Sequence, residues 1–218
     1  MLYPFISAFG NEYQKIIVPE KKNSFTIIND IVSVKPINSD VIFIVDLDIW
    51  NKLPWSGWKM NTNNYISNCG LMLHRIVAYL CGMLDSCPTA MIDHKNRNRL
   101  DCRKTNIRSC TAIENGWNNE RKHGHKLKSG KWRFTFSKSY PTMAEAEEGL
   151  RSGFFQYMSK NRTCFINETF DTYEEGYDWW RYQAGIHYGD FSPFAHPYKT
   201  CEQIIKEACA CSTHQQPS

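Results

Sequence analysis

Short apolar runs separated by polar turns make up the first ninety residues. Residues 15–18 and 24–28 predict short strands, and the β-branched run Val41–Val45 predicts a stronger one. From Leu71 to Leu84 apolar side chains recur every three or four positions, which predicts a buried amphipathic helix that ends before Pro88. We therefore expect a β-rich N-terminal part over residues 1–40, followed by a strand and a helix.

Residues 90–119 predict a strand, a loop, a strand and a helix in close succession. Ala90–Ile92 forms a short apolar strand that runs into Asp93 and His94. After the polar loop Lys95–Lys104, Asn106–Arg108 predicts the second strand. Thr111 and Glu114 have the spacing of a capping box, which predicts a helix over residues 112–119.

The C-terminal half contains an alternating strand and two further capping boxes. Trp132, Phe134 and Phe136 alternate with polar residues, which is typical of a strand with one apolar face. Two Thr-x-x-Glu capping boxes lie thirty residues apart, and an aromatic residue precedes each threonine by two positions; the threonines are Thr142 and Thr172. This spacing favours a duplicated or half-duplicated unit. A short helix is predicted from Cys201 to Cys209.

Composition excludes several classes of protein. With 42% hydrophobic and 22% charged residues among 218, the chain is neither low-complexity nor disordered throughout. It has no apolar stretch of membrane-spanning length and no secretory leader, so we expect a cytoplasmic protein with no membrane partner. The nine cysteines are then expected as reduced thiols. Zinc binding by Cys209, Cys211 and His214 is disfavoured, because no fourth ligand is evident.

The positive charge is concentrated in one segment. Residues 95–138 hold 13 Lys and Arg against three acidic residues, although the whole chain has a net charge of only +4. A basic segment in an otherwise acidic protein indicates a polyanionic partner, most often nucleic acid. The alternative is a solvated charged surface.

The run from Ile92 to Asp101, Ile-Asp-His-Lys-Asn-Arg-Asn-Arg-Leu-Asp, is followed by Asn106-Ile107-Arg108 and by Glu114-Asn115. These motifs resemble the HNH homing endonucleases of phages, whose run is Asp-His-x-Asn/Asp-Gly-Asn-x-Leu-Asp-Asn-Arg, then Asn-Leu-Arg, then Glu-Asn. The spacing from His94 is 12 residues to Asn106 and 21 to Asn115. With lead-in segments near Val45 and Leu73, the resemblance covers residues 41–120.

The resemblance implies a ββα-metal (His-Me finger) nuclease core with a definite set of site residues. Phosphodiester hydrolysis needs a base for water, for which we expect His94, with Asn106 holding the loop. Asp93 and Asn115 supply the oxygen ligands that Mg²⁺, or another divalent cation such as Mn²⁺, accepts. Because adjacent strand residues point to opposite faces, Asp93 and His94 must lie where the strand ends. Arg97 stands where the family often has glycine, so a left-handed turn there would be strained.

The third site residue and the roles of three neighbouring residues are less closely defined by the motif. His123 or His125 could replace Asn115 as the third site residue. Asn118 and Asn119 are expected on a solvated helix face, and His74 is expected to pack in the lead-in helix rather than to catalyse.

Residues 121–198 resemble, in fragments, the small DNA-binding module of ethylene-response-factor type that often follows phage HNH cores. The resemblance implies a small sheet and helix, with the polar strand face towards DNA. A purely structural extension is the alternative. The basic residues expected to contact DNA in the core and extension are Arg97, Arg99, Arg103, Arg108, Arg121, Lys122, Lys126, Lys128, Lys131 and Arg133.

The sequence thus predicts an α+β protein in four parts: residues 1–40, an HNH region over 41–120, a DNA-binding extension over 121–198 and a tail over 199–218. The predicted function is metal-dependent cleavage of double-stranded DNA by an endonuclease, for which a monomer is the expected state. Two rivals are a sequence-specific DNA-binding protein with an inactive nuclease core, and a structural nucleoprotein that uses only the basic segment.

Overall fold

A computed structural model describes residues 23–53, 57–87, 89–119 and 124–212. These residues form a mixed α+β fold, as the sequence predicts. The chain divides into two compact units: unit 1 holds the described residues up to His94 together with Asn98–Ser109 and those from Lys199 onward, and unit 2 holds Lys95–Arg97 and Cys110–Tyr198. Unit 2 is therefore an insertion in unit 1.

The described part of unit 1 begins with an antiparallel sheet of three strands, β1 (Phe25–Ile28), β2 (Ile31–Val34) and β3 (Phe43–Asp46), in that spatial order. β1 and β3 confirm the strands expected at residues 24–28 and 41–45. The alternation of exposed and buried residues that marks many strands is absent from β2, because three of its four residues are buried. The strand expected at residues 15–18 lies outside the described residues.

A short helix, α1 (Leu47–Trp50), follows β3, and a second antiparallel sheet contains β4 (Lys59–Met60), β5 (Ile66–Asn68) and β6 (Leu71–Met72). The next helix, α2 (Leu73–Leu80), is shorter than the predicted 71–84. At its start, residues 71–72 pair with β5 instead. At its end, Gly82 adopts a φ of 71°, the left-handed conformation that terminates helices.

The strand–loop–strand–helix order predicted for residues 90–119 is observed. β7 (Met91–His94) and β8 (Ile107–Cys110) form a two-stranded sheet, and α3 (Ala112–Trp117) follows. Thr111 and Glu114 form the predicted capping box. α3 belongs to unit 2, whereas most of β7 and β8 belongs to unit 1.

The C-terminal helix α6 (Cys201–Ser212) belongs to unit 1 rather than standing apart as a tail. Its buried residues Cys201 and Ile204 pack with Ile44 of β3. The Asn29 side chain donates to the carbonyl oxygen of Ala208 at 3.0 Å. Unit 2 thus ends at Tyr198, and the residues that follow it belong with the start of the chain.

Unit 2 is built on a four-stranded antiparallel sheet. Its strands are β9 (Gly124–Lys126), β10 (Trp132–Ser139), β11 (Tyr157–Met158) and β12 (Thr163–Phe170), in the spatial order β11-β12-β10-β9. Besides α3, the unit contains α4 (Met143–Arg151) and α5 (Tyr173–Tyr188), and a 3₁₀ turn (Gly189–Phe191) follows α5.

The two halves of unit 2 repeat one local plan. β10 and β12 are both eight residues long, and each is followed by a helix whose threonine and glutamate form the predicted capping box. Phe134 and Phe136 of β10 are fully buried, as the alternation predicts. None of the helices in the described ranges has the length and apolar character needed to cross a membrane.

Candidate active site

The predicted base and metal ligand lie at the end of β7, and both are buried. Asp93 is 8% exposed and His94 is 3% exposed. β7 ends at His94, where the sequence requires the strand to end. The two neighbouring side chains have different partners, as expected for adjacent residues on opposite faces of a strand.

Asp93 forms a buried ion pair with Arg108 of β8. Nε and one terminal nitrogen of Arg108 donate to the same carboxylate oxygen, Oδ2, at 2.9 and 2.8 Å. A buried carboxylate is tolerated only when it is paired and hydrogen-bonded. Arg108 is itself only 8% exposed, so most of its side chain is inaccessible from the surface, unlike the exposed phosphate contact that the sequence predicts there.

His94 belongs to a cluster of three rings. Its ring centroid lies 5.1 Å from that of His74 and 5.9 Å from that of Tyr65, and Tyr65 and His74 are 5.0 Å apart. Burial, with smaller contributions from His74 and Arg99, lowers the pKa of His94 to about 3. Burial and the neighbouring Arg75 lower the pKa of His74 to about 4. Both imidazoles are therefore neutral at physiological pH, the form that can accept a proton.

The loop between β7 and β8 is held by its own polar side chains. Asn106 is buried, and its side-chain amide donates to the carbonyl oxygen of Asp101 at 2.8 Å. Asp101 is fully buried and accepts from Nε of Arg103 at 2.8 Å and from a second guanidinium nitrogen at 2.9 Å. Asn98 donates to the carbonyl oxygen of Lys199 at 2.9 Å and accepts from the backbone of Leu100. The loop is thus fixed before any ligand binds.

Arg97 occupies the strained position that the sequence indicates. Its φ is 64°, in the left-handed region that favours glycine. Within unit 2 its guanidinium donates to the carbonyl oxygen of Pro193. The expected solvated position of Asn118 is wrong: the residue is buried, and its amide donates to the carbonyl oxygen of Lys95 at 3.2 Å. Asn119 is exposed, as expected.

The structure brings Asp93, His94 and Asn106 together in one unit, whereas Asn115 lies half-buried in α3 of unit 2. Of the two alternatives to Asn115, His125 is exposed on β9 and His123 lies outside the described residues. Across the described ranges, no group of three His, Cys, Asp or Glu side chains is placed to hold a metal ion. Mg²⁺ does not need one, since it binds through one or two carboxylates and keeps several waters.

Basic residues of the extension lie on the sheet of unit 2 and near it. Lys126 and Lys128 are exposed, and Lys131 pairs with Asp171 at 2.9 Å. Arg133 is exposed on β10 between His125 of β9 and Thr169 of β12. Arg121 and Lys122 lie outside the described residues.

The polar face of this sheet carries a small hydrogen-bond network next to Arg133. Thr135 donates to the side-chain oxygen of Asn167 at 2.6 Å, and the amide of Asn167 lies 3.4 Å from the hydroxyl of Tyr157. These contacts fix the polar side chains of the face on which the sequence places DNA recognition.

No protein-family model, curated protein or solved structure matches this chain. A functional assignment therefore depends on the residues of the site. Sequence reasoning missed Tyr65 as a member of the site, because nothing local links it to His94, 29 positions later. It also missed the internal partners of Arg103 and Arg108. The sequence alone does not show that β7 pairs with β8, so it could not predict that a carboxylate of β7 would lie beside Arg108.

Proposed function

We propose that this protein is a metal-dependent endonuclease of the HNH type that hydrolyses phosphodiester bonds of double-stranded DNA. The observation that supports this most is the end of β7, where a buried carboxylate and a buried neutral imidazole stand next to a fixed basic loop. Burial of two adjacent ionisable side chains lowers the stability of the fold, and such groups are concentrated at functional sites.

His94 is the proposed general base. In the neutral form it can accept the proton of a water molecule that attacks the phosphorus atom. A base with a pKa of about 3 is weak at neutral pH, but the approach of a DNA phosphate adds negative charge beside the imidazole. That charge offsets the positive field of Arg99 and raises the pKa of His94 towards the working range.

Asp93 is the proposed ligand of Mg²⁺ or Mn²⁺, and Asn115 stays the predicted second ligand. A carboxylate oxygen and an amide oxygen are the hard donors that such a cation prefers. Arg108 fixes the orientation of the Asp93 carboxylate through Oδ2. A bound divalent cation would supply charge stabilisation at the phosphate and at the leaving oxygen.

Sequence recognition is assigned to the sheet of unit 2. Arg133 is exposed on its polar face, whereas Trp132, Phe134 and Phe136 pack on the side of the helices. The major groove of DNA admits a pair of β-strands, and an arginine can read guanine there. Lys126 and Lys128 add sequence-independent phosphate contacts.

The second candidate is a sequence-specific DNA-binding protein whose nuclease core is inactive. The ion pair between Asp93 and Arg108 favours it, because a carboxylate already neutralised by arginine has less charge left for a cation.

The decisive experiment is incubation of the purified chain with supercoiled plasmid DNA, with Mg²⁺ or with EDTA. We expect nicked or linear product with Mg²⁺ only. His94→Ala should abolish cleavage while DNA affinity stays within a few-fold, because affinity comes from phosphate contacts. His196→Ala, at a histidine paired with Asp190 and assigned no part in the site, is the control and should cleave normally. Binding without cleavage by the wild-type chain would select the inactive DNA-binding protein.

A further inference from the structure

The turn between β4 and β5 is shaped by one asparagine. The side-chain oxygen of Asn61 accepts hydrogen bonds from the backbone N–H groups of Asn63 and Tyr65, both at 3.0 Å. The backbone of Asn61 also donates to the carbonyl oxygen of Tyr65 at 2.9 Å. These bonds fix the backbone of the turn, which carries the Asn63 carbonyl group and the Tyr65 side chain.

Both of these groups contact Arg99 in the loop between β7 and β8. A terminal nitrogen of Arg99 donates to the carbonyl oxygen of Asn63 at 2.8 Å. The guanidinium carbon lies 4.7 Å from the centroid of the Tyr65 ring. A planar guanidinium stacks well on an aromatic face, and the attraction of cation to ring is retained at exposed sites. The side chain is therefore held at two points by the same turn.

Arg99 differs from the other arginines between residues 97 and 108. Arg103 and Arg108 donate to carboxylates, and Arg97 donates to a backbone carbonyl within unit 2. Arg99 is exposed, and it has no carboxylate partner in the part of the chain that the structure describes. Its positive charge is thus fixed in position and not neutralised there.

The position of this charge is next to the proposed base. The Tyr65 ring that supports Arg99 also belongs to the ring cluster of His74 and His94. A cation fixed at this place would meet a phosphate that approaches His94.

We propose that Arg99 binds a backbone phosphate of DNA at this site, and that the Asn61–Tyr65 turn is a preformed support that positions it. The inference rests on the proposed function and names a positioning residue, Tyr65, that charge alone does not indicate. An arginine that is already ordered loses less side-chain entropy when it binds, so the turn increases DNA affinity without touching DNA.

The test measures the affinity of a DNA duplex at several salt concentrations in EDTA, and cleavage kinetics with Mg²⁺. Arg99→Gln should weaken binding by about tenfold and reduce the slope of log K against log salt by about 0.9. Tyr65→Leu should weaken binding roughly 2- to 5-fold. Tyr65→Phe keeps the ring and should bind like the wild type. Lys35→Gln, which removes an equal charge from a lysine paired with Asp40, is the matched control.

The double variant Arg99→Gln/Tyr65→Leu separates positioning from general structure. If Tyr65 acts through Arg99, the double variant should bind no more weakly than Arg99→Gln alone. An equal loss from Tyr65→Leu in both backgrounds would overturn the positioning role. An Arg99→Gln variant that matches Lys35→Gln in affinity and salt slope would overturn the phosphate contact.

Failure of the proposed function has a different result. A wild-type chain that binds DNA but does not cleave it refutes the endonuclease, while the loss of affinity in Arg99→Gln still supports the phosphate contact. A wild-type chain that binds no DNA refutes both.

Discussion

Replacing Arg108 with glutamine tests whether the Asp93–Arg108 pair is as deeply buried as the structure indicates. The side chains are 8% and 9% exposed, and the variant leaves the Asp93 carboxylate without its guanidinium. Removing one partner of a buried pair destabilises proteins by about 3–5 kcal/mol, because an uncompensated charge stays buried. In a protein of this size, each kcal/mol lowers Tm by about 2–4 °C, so we expect a fall on the order of 10 °C.

The assay is urea unfolding followed by tryptophan fluorescence, with amide exchange to locate the loss of protection in β7 and β8. Arg133→Gln is the matched control: the same change at an exposed arginine of β10 should alter the unfolding free energy by less than about 0.5 kcal/mol. Asp93→Asn combined with Arg108→Gln should recover much of the loss, since the double variant buries no charge.

A loss below about 1 kcal/mol in Arg108→Gln would refute the burial of the pair, since exposed pairs contribute no more than that. It would also return Arg108 to the set of arginines able to contact phosphate. A loss of the expected size assigns Arg108 to the support of Asp93.

Three further outcomes are expected. Gly176→Ala should cost about 1–3 kcal/mol, because the new Cβ would lie 2.2 Å from the Phe134 ring, whereas Gly185→Ala in the same helix meets nothing within 4 Å and should be neutral or stabilising; thermal unfolding compares them. His74 has a pKa of about 4 when folded, so protons bind the unfolded chain first and stability falls as pH drops below about 6.5; His74→Gln should remove about 2 kcal/mol of the loss between pH 7.5 and about 5, measured by urea titration. Arg133→Gln should reduce the preference for a cognate over a random duplex by about 1–3 kcal/mol, and an equal loss on both duplexes would leave it as a phosphate anchor.

Local patterns were sufficient for much of the fold. The alternation in β10 and the three capping boxes depend on residues within a few positions of each other, and all were predicted correctly. The predicted start of α2 was wrong because the pairing of Leu71–Met72 with β5 overrides helix periodicity. Strand pairing is a tertiary interaction, and helix propensity does not take it into account.

The same limit applies to the candidate site. The motif predicts Asp93 and His94 at the end of a strand, and the structure has them there. The motif does not distinguish among its arginines, because formal charge does not show which guanidinium is paired with a carboxylate within the protein. Arg108 is distinguished from Arg99 only by a carboxylate 15 residues away and by burial.

The insertion of unit 2 into unit 1 sets an order of events during synthesis. Asn98 donates to the carbonyl oxygen of Lys199, a residue 101 positions further along the chain. At about 5–20 residues per second, a ribosome needs about 5–20 s to add that span. During this interval the loop that follows His94 lacks its contact with the start of α6, while all of unit 2 is being made. The nascent chain therefore contains all of unit 2 before the last residues of unit 1 are synthesised.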